Sequence, residues 1–513
     1  MTSRHETEPD SFSVAASGGE EVVVPWPAIR RLRQRAMASL SPSGAPVGGR
    51  HHRWWVLWTV LAGLFSVNVT FTIFAVALTQ VARGLHTTTS DATWVITAPL
   101  LCFGVAAPVL GKLGDTWGHR RLYLAGTSAA VVAAVMTAAA PNVPLLIVAR
   151  ALSGVVGAAA GAASMALIFR VFDHQDRVKA MGWWSLVGAG GPVIGVVAGG
   201  VLITDFGWRA LFWVQAPLTL VSVVVAAVVL PETERADAGS FDWWGAGAIT
   251  VAVFALLFGL NRGPVLGWTS PVVAGSFVVF PVALAAFVVA ERKTPEPLLP
   301  LGFLRRRNFA FPIANQMFGQ FAYMGGFILA PALLEQVFGF TASRAGVMVI
   351  ARPLTFSLVA PIAGYVAGRV GDRNAAVTGS VVLGLSMLVF DAVGHGSSTF
   401  LVVVALALSG LGLGIASPSV TAAVANTVEE NSLGVASAAQ QLMNQVGTVA
   451  GIQVLQTVQA ARQASGLLGS FHAAYLVGAA ACVVAAACGM GMLGRRAESD
   501  VEQAVAMADA AAV

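Results

Sequence analysis

Long apolar runs follow one another along nearly the whole chain. Fourteen of them can be drawn between residues 57 and 493, most about 18 to 25 residues long, and a helix of that length crosses roughly 30 Å of hydrocarbon. Only 11% of the 513 residues are charged, against roughly 25% in an ordinary soluble domain. These features exclude a soluble globular fold and predict an all-α integral membrane protein.

The predicted spans form groups of six, two and six. A polar stretch separates the first six from a central pair, and a longer polar linker precedes the last six. The divisions are a tail at 1–53, a six-helix half at 54–230, a two-helix hairpin with its linkers at 231–308, a second six-helix half at 309–494 and a tail at 495–513. We expect the first tail to be mostly disordered and cytoplasmic, because it is polar and rich in Ser, Gly and Pro.

A short repeat relates the two halves. GKLGD occupies 111–115 and GRVGD occupies 368–372, and each follows the second span of its half when the central pair is set aside. Secondary transporters are often built from two related halves that hold the substrate between them near the membrane midplane. The predicted fold is therefore two pseudo-symmetric six-helix halves with a central two-helix insertion.

The distribution of Lys and Arg predicts the orientation of the chain. An even number of spans places both termini on one side, and that side carries 23 of the 30 basic residues, while the opposite loops carry five and the spans two. Cytoplasmic loops collect positive charge. Arg greatly outnumbers Lys, which indicates a GC-rich bacterial source. We expect a multi-pass protein of the bacterial cytoplasmic (inner) membrane with both termini in the cytoplasm.

No sequence motif indicates a reaction or a prosthetic group. HExxH, a Walker-type loop and a Cys/His cluster are absent from the sequence. The three cysteines lie in apolar runs without metal or redox spacing. We therefore expect no enzymatic activity, no cofactor or metal, and no nucleic-acid partner.

The loop GKLGDTWGHRR, residues 111–121, combines a carboxylate, three glycines and two arginines. Asp115 can accept hydrogen bonds from the N-terminus of a neighbouring helix or pair with an arginine, and such a contact can open and close one side of the membrane. The alternative is a basic loop that only turns the chain. The candidate gating residues from both copies of the motif are Gly111, Gly114, Asp115, Gly118, Arg120, Arg121, Gly368 and Asp372.

This loop strongly resembles the signature between spans 2 and 3 of the major facilitator superfamily. VARALSGVVGAA at 148–159 and GAGGPVIGVVAGG at 188–200 resemble the family's antiporters. FDWWGA, GWRALFWVQAP and PEPLLPLGFLRRRNF resemble its fourteen-span drug:proton antiporters. The resemblance covers residues 54–494 and implies export of small, largely apolar compounds in exchange for protons across the lipid bilayer. We expect the protein to be a monomer.

Other functions are weighed against this one. A dedicated exporter of one endogenous metabolite or lipid-like compound is the alternative within transport. A channel or a membrane-embedded enzyme fits the two related halves and the missing catalytic motifs less well. The residues leave open whether protons or sodium ions drive transport.

Charged residues inside predicted spans are candidates for coupling or substrate binding, because charge is costly at that depth. The resemblance assigns Arg150 a part in proton coupling, but arginine stays protonated and cannot itself carry the proton. Arg352 lies at a similar depth, and Glu335 is a titratable residue expected to lie near Arg344 or Arg352 on the same outer side. The alternative is that these are interfacial residues whose charged groups reach water.

Two helices carry further candidates. In span 5, Pro192 removes a backbone donor and glycines allow close packing, and the residues taken as the antiporter motif are Gly188, Gly191, Pro192 and Gly195. Where the resembled antiporters carry an acidic residue in span 1, this chain has Thr70, with Asn68 nearby. Polar residues that either line the substrate cavity or bond neighbouring helices are Asn68, Thr70, Gln316, Gln320, Gln441 and Asn444.

Overall fold

The computed structural model describes most of the predicted spans. The described residues are 11–15, 21–25, 50–69, 81, 84–85, 87, 94–231, 242–294, 297–394, 396, 398–429 and 432–493. The chain divides into two compact units, residues 1–55 and 56–513.

The first unit contains a β-hairpin. Strands β1 (Ser11–Ala15) and β2 (Glu21–Pro25) pair antiparallel, with Ser11 opposite Pro25 and Ala15 opposite Glu21. The run of valines in β2 favours a strand because β-branched side chains fit the pleated backbone. These ten residues differ from the disorder expected for the tail. Most of that tail, and the tail predicted at 495–513, lie outside the described residues.

The helices follow the predicted order. In the first half they are α1 (Arg50–Asn68), α2 (Trp94–Trp117), α3 (His119–Ala139), α4 (Val143–Val171), α5 (His174–Phe206) and α6 (Trp208–Val229), and the central pair is α7 (Trp243–Leu266) and α8 (Pro271–Lys293). In the second half they are α9 (Arg307–Gln336), α10 (Ala342–Val349), α11 (Ala351–Val370), α12 (Asp372–Asp391), α13 (Thr399–Asn426), α14 (Leu433–Ala461) and α15 (Leu467–Gly491).

Eleven helical segments of the described residues are long and apolar enough to cross a membrane. Three further helices, α1, α5 and α14, are 19, 33 and 29 residues long and occupy places where spans 1, 5 and 13 were predicted. The predicted all-helical membrane fold is confirmed, while the count of fourteen spans stays a prediction. The tenth predicted span is divided at Ile350 into α10, which has 8 residues, and α11, which has 20.

The packing of the helices repeats from one half to the other. In the first half α4 packs against α2 and α3, and α3 packs against α6. In the second half α13 packs against α11 and α12 in the same way, and α12 packs against α15. Between the halves, α2 contacts α14 and α5 contacts α11. These two contacts are equivalent, because α2 corresponds to α11 and α5 to α14.

One pair of glycines shows how closely this repeat holds. A Cβ added at Gly154 of α4 would lie 2.7 Å from the Cα of Pro99 on α2. A Cβ added at Gly410 of α13 would lie 2.9 Å from the backbone nitrogen of Phe356 on α11. Each glycine is the twelfth residue of its helix. Both halves therefore bring the same two helices into backbone contact, as small residues allow between membrane helices.

The central hairpin lies beside the junction of the halves. Helices α7 and α8 pack together, and α7 also contacts α2 and α14. Valines of α8 are largely exposed, for example Val278 and Val282 at 65% each. Such a surface suits contact with lipid chains.

Candidate functional site

Asp115 joins the two halves of the molecule. It lies in the last turn of α2, and only 2% of its surface is exposed. Its Oδ1 accepts a hydrogen bond from the backbone N–H of Gly434 (2.9 Å) and its Oδ2 accepts one from Val435 (3.0 Å). These N–H groups belong to the first turn of α14, where backbone donors lack helical partners and the helix dipole favours negative charge. Of the two partners anticipated for Asp115, the helix N-terminus is the one observed.

Two glycines make this contact possible. A Cβ added at Gly111 would lie 2.6 Å from the carbonyl oxygen of Gly434. A Cβ added at Gly434 would lie 2.5 Å from the carbonyl oxygen of Gly111 and 2.6 Å from Oδ1 of Asp115. Any side chain at either position would separate α2 from α14. The carboxylate would then lose its reach to the helix N-terminus.

His119 is a part of this site that the sequence analysis did not select. Its Nε2 lies 3.0 Å from Oδ1 of Asp115, and its ring is buried. Gly118 has a φ of 96° and turns the chain between α2 and α3. Gly114 makes room for the ring, because a Cβ there would lie 2.6 Å from Nδ1 of His119. The spacing of four residues between Asp115 and His119 is the only sequence signal that could have indicated the pair.

The arginines of the loop do not reach Asp115. The Nη2 of Arg120 donates to the carbonyl oxygen of Ala227 at 2.6 Å. Ala227 lies in the last turn of α6, where free carbonyl groups favour a cation. Arg121 is exposed. Arg120 therefore fastens the loop to its own half, while Asp115 fastens it to the other.

The second copy of the motif has a different geometry. In the first copy α2 continues past Asp115, and the turn comes at Gly118. In the second copy α11 already ends at Val370, Gly371 has a φ of 85°, and Asp372 is the first residue of α12. Asp372 therefore does not occupy the position of Asp115, although the five-residue motifs align. Gly368 lies within α11, and a gating role for it and for Asp372 stays a prediction.

A second connection between the halves lies with Arg177. Its Nε donates to the carbonyl oxygens of Phe169 (2.9 Å) and Phe172 (3.2 Å), at the end of α4. Its Nη1 donates to Oδ1 of Asn426 (2.9 Å), the last residue of α13. In the sequence, Arg177 is only one of many basic residues. A buried guanidinium thus connects the ends of two helices, one from each half.

Arg150 lies inside the first half. It is buried on α4, and its Nε donates to the carbonyl oxygen of Val95 on α2 at 3.3 Å. Its guanidinium carbon lies 6.0 Å from the ring centre of Phe212 on α6. Arg150 thus reaches both neighbouring helices of its half.

The structure does not bring Glu335 together with Arg344 or Arg352. Glu335 is the second-last residue of α9 and is exposed. Arg344 lies over the ring of Phe340 at 3.9 Å. Arg352 is fully buried, with 0% exposure. No ion pair joins Glu335 to either arginine in the described part of the chain, and its titration near them stays a prediction.

The polar residues of α9 and α14 form connections between helices. The Nε2 of Gln316 donates to Oδ1 of Asn444 at 2.8 Å. Gln441 reaches across to the first half, where a Cβ added at Gly161 of α4 would lie 2.7 Å from its Nε2. The Oε1 atoms of Gln316 and Gln320 are buried without a hydrogen-bond partner in the described structure. A role for these residues in the substrate cavity stays a prediction.

The remaining candidate residues lie on α1, on α5 and just after α1. The Nδ2 of Asn68 donates within α1 to Leu64 at 2.9 Å, and Thr70 lies outside the described residues. Gly191 of α5 faces α1, since a Cβ there would lie 3.2 Å from the Cβ of Asn68, and Gly188 faces open space. Helix α5 continues through Pro192 and Gly195. The structure describes the backbone of these two residues but not their surroundings.

Comparisons with known proteins bear on this architecture. Residues 60–452 and 317–509 match the Major Facilitator Superfamily. The chain is 30% identical over 402 residues to the "Multidrug resistance protein Stp" of Mycobacterium tuberculosis (strain CDC 1551 / Oshkosh), covering 78% of this chain and 74% of the relative. It is 29% identical to the "Tetracenomycin C resistance and export protein" of Streptomyces glaucescens, covering 82% of this chain and 79% of the relative.

A solved structure agrees with the fold. The human organic anion transporter MFSD10 (TETRAN) superimposes with a TM-score of 0.62 and 15% identity, covering 85% of this chain and 99% of that one. At this identity the likeness concerns the fold alone. Together with the family match, it makes the protein a multi-pass membrane transporter and not an enzyme. The chain belongs to the major facilitator superfamily.

Proposed function

We propose that the protein exports small, largely apolar compounds, drugs or natural products, in exchange for protons across a bacterial inner membrane. The names of two relatives, a multidrug resistance protein and an antibiotic resistance and export protein, support export. The observation that carries the proposal is the bond from Asp115 to the first N–H groups of α14. This bond connects the two halves at one end through groups that can separate and meet again.

The end of the bundle where α2 turns into α3 is proposed to face the cytoplasm. The excess of basic residues in the loops on that side, 23 against five, supports this orientation. With Asp115 and Arg177 in place the halves are held together at this end. When these contacts break, the site between the halves opens to the cytoplasm and a compound enters. When they re-form, the compound leaves on the other side.

Proton coupling needs a group that gains and loses a proton. Arg150 and Arg352 keep theirs, so we propose that they act on neighbouring groups or on the substrate. Glu335, exposed at the end of α9, is the titratable candidate among the three. Because Thr70 replaces the acidic residue of the resembled exporters, we expect no strict preference for cationic compounds.

The test uses everted membrane vesicles that contain the full chain. An acid-inside proton gradient is imposed, and its loss is recorded after addition of cationic, neutral and anionic compounds. Compounds that are exchanged for protons should collapse the gradient with the native protein but not with Asp115→Asn or Arg150→Ala. If no compound does so, and a sodium gradient responds instead, proton coupling is excluded.

A second candidate is a dedicated exporter of one endogenous metabolite or lipid-like compound. This candidate is favoured by Thr70, which stands where the resembled antiporters carry an acidic residue. It is also favoured by the relative named for a single compound, tetracenomycin C. The number of chemically unrelated compounds that collapse the gradient distinguishes the two candidates. Many unrelated compounds indicate a drug exporter, and a single class indicates a dedicated one. The protein is expected to act as a monomer.

A further inference from the structure

Arg352 is the most unusual side chain of the second half. It is completely buried, and the three guanidinium nitrogens have no hydrogen-bond acceptor with suitable geometry among the described residues. The guanidinium lies over the ring of Tyr323, 4.0 Å from its centre, and 5.7 Å from that of Phe327. Aromatic faces attract a cation but supply no counter-charge. The hydroxyl of Tyr475 is likewise buried without a partner in the described structure.

No carboxylate of the described residues forms an ion pair with Arg352. Every Asp and Glu of the sequence lies outside the helices α1 to α15 or within three residues of a helix end. Glu335 at the end of α9 is exposed and Asp391 at the end of α12 is half-buried, and neither forms an ion pair with Arg352. A buried charge without a partner is strongly unfavourable, and arginine cannot escape the cost by losing its proton. A ligand is therefore a candidate source of the counter-charge that the described residues do not pair with Arg352.

The surroundings of Arg352 suit a small ligand that accepts hydrogen bonds. The guanidinium lies beside Gly326, since a Cβ added there would lie 3.6 Å from Nη1 of Arg352 and 3.0 Å from Cε of Met387. Tyr475 is held in position by stacking on Phe390, with ring centres 4.4 Å apart. A guanidinium offers five N–H donors and a tyrosine one O–H donor. Such a set of donors without an acceptor is what an anion requires.

We infer that Arg352 and Tyr475 bind a small group with a single negative charge in the core of the second half. Two sources have this chemistry, a halide ion from solution and the acidic group of an exported compound. The second source rests on the proposed export function, whereas the first does not.

The first experiment tests the site without transport. The thermal midpoint of the purified full chain is measured in sodium chloride, sodium bromide and sodium gluconate at equal ionic strength. A bound anion stabilises the folded state as its concentration rises above the dissociation constant. We expect a saturable rise of a few degrees in chloride and bromide relative to gluconate. Arg352→Met should abolish the rise, and Tyr475→Phe should reduce it.

Controls separate anion binding from a general loss of folding. Arg150→Met also removes a buried arginine, but one that bonds a backbone carbonyl, and it should keep the full rise in chloride. Arg352→Met should be no less stable than the native protein in gluconate, because it removes an uncompensated charge. An anomalous scattering peak of bromide next to Arg352 in crystals of the native protein would locate the ion even if the variants fold poorly.

The second experiment tests the substrate as the source. Vesicle export of a carboxylic acid is compared with export of its methyl ester, for the native protein and for Arg352→Met. If halides have no effect but the preference for the acid over the ester falls at least tenfold in Arg352→Met, the anion belongs to the substrate. If halides have no effect and the variant keeps the native preference, the inference is overturned. If nothing is exported at all but halides stabilise, the proposed function fails while the anion site stands.

Discussion

At the scale of single residues, the charge of Asp115 governs one end of the molecule. The carboxylate is buried between the halves and bonds two backbone N–H groups of α14 and the ring of His119. A buried carboxylate depends on all such partners, since each unsatisfied oxygen would carry a desolvation cost. The contact between α2 and α14 is therefore most sensitive to this one group.

We predict that Asp115→Asn strongly reduces transport without preventing folding. An amide has one acceptor oxygen and cannot accept the second N–H bond, and it lacks the charge that the helix N-terminus favours. Loss of one charge-assisted hydrogen bond costs about 2 kcal/mol. The equilibrium constant between the conformation closed at this end and the one open at this end would then change about thirtyfold. Initial export rates in vesicles measure the effect.

The matched control for this variant is Asp372→Asn. Asp372 has the same motif around it but lies at the start of α12, not in the last turn of a helix that meets α14. We expect it to retain most of the native rate. Equal losses in both variants would support the predicted gating role of Asp372 and would show that the contact with α14 does not set Asp115 apart.

A second residue prediction concerns Asn426. Asn426→Asp would place a carboxylate against the buried guanidinium of Arg177 and turn a neutral acceptor into an ion pair. We expect the closed end to become more stable, so that the thermal midpoint rises while the export rate falls. The same substitution combined with Arg177→Gln should lose the rise. A faster export rate in Asn426→Asp would show that this contact does not limit opening.

At the scale of helices, contact between the halves depends on small residues at chosen positions. Gly111 and Gly434 allow α2 and α14 to touch, and Gly364 allows α11 to approach the backbone of Val178 on α5, since a Cβ there would lie 2.7 Å from its carbonyl oxygen. These are the two equivalent contacts between the halves. Helices in a membrane gain little from hydrophobic attraction to each other, so close backbone packing holds them together.

We predict that Gly434→Ala blocks closure of the end where α2 meets α14. The added methyl group would lie 2.5 Å from the carbonyl oxygen of Gly111, which backbone atoms cannot accommodate without moving apart. The export rate should fall by at least as much as in Asp115→Asn. Gly275→Ala on α8 is the matched control, because a methyl group there meets nothing within 4 Å. A normal rate in Gly434→Ala would show that α2 and α14 need not touch.

At the scale of the whole molecule, the sequence predicted the two halves better than it predicted their contacts. Runs of apolar residues follow from hydrocarbon thickness, so the helices near Trp94–Trp117 or Thr399–Asn426 could be read directly. The repeat of GxxGD indicated the duplication, yet it misplaced Asp372, because the residue at which a helix ends depends on the turn glycine. The partners of His119 and Arg177 could not be predicted, since they depend on how separate segments pack.

The last prediction tests whether the halves must separate. Ser185 on α5 and Ser417 on α13 belong to different halves, and their hydroxyl oxygens lie 3.4 Å apart. Replacing both with cysteine, in a chain whose three native cysteines are replaced by alanine, would place two sulfur atoms near bonding distance. Oxidation with iodine, which enters apolar regions, should form a disulfide and stop export, and dithiothreitol should restore it.

The single variants Ser185→Cys and Ser417→Cys are the controls, and neither should respond to iodine. Export at the native rate by a fully cross-linked protein would mean that α5 and α13 need not separate at this contact during transport. Inhibition that the reductant reverses would mean the opposite. The contact between α5 and α13 would then break in every transport cycle, because a cross-link stops export only when it joins groups that separate during the cycle.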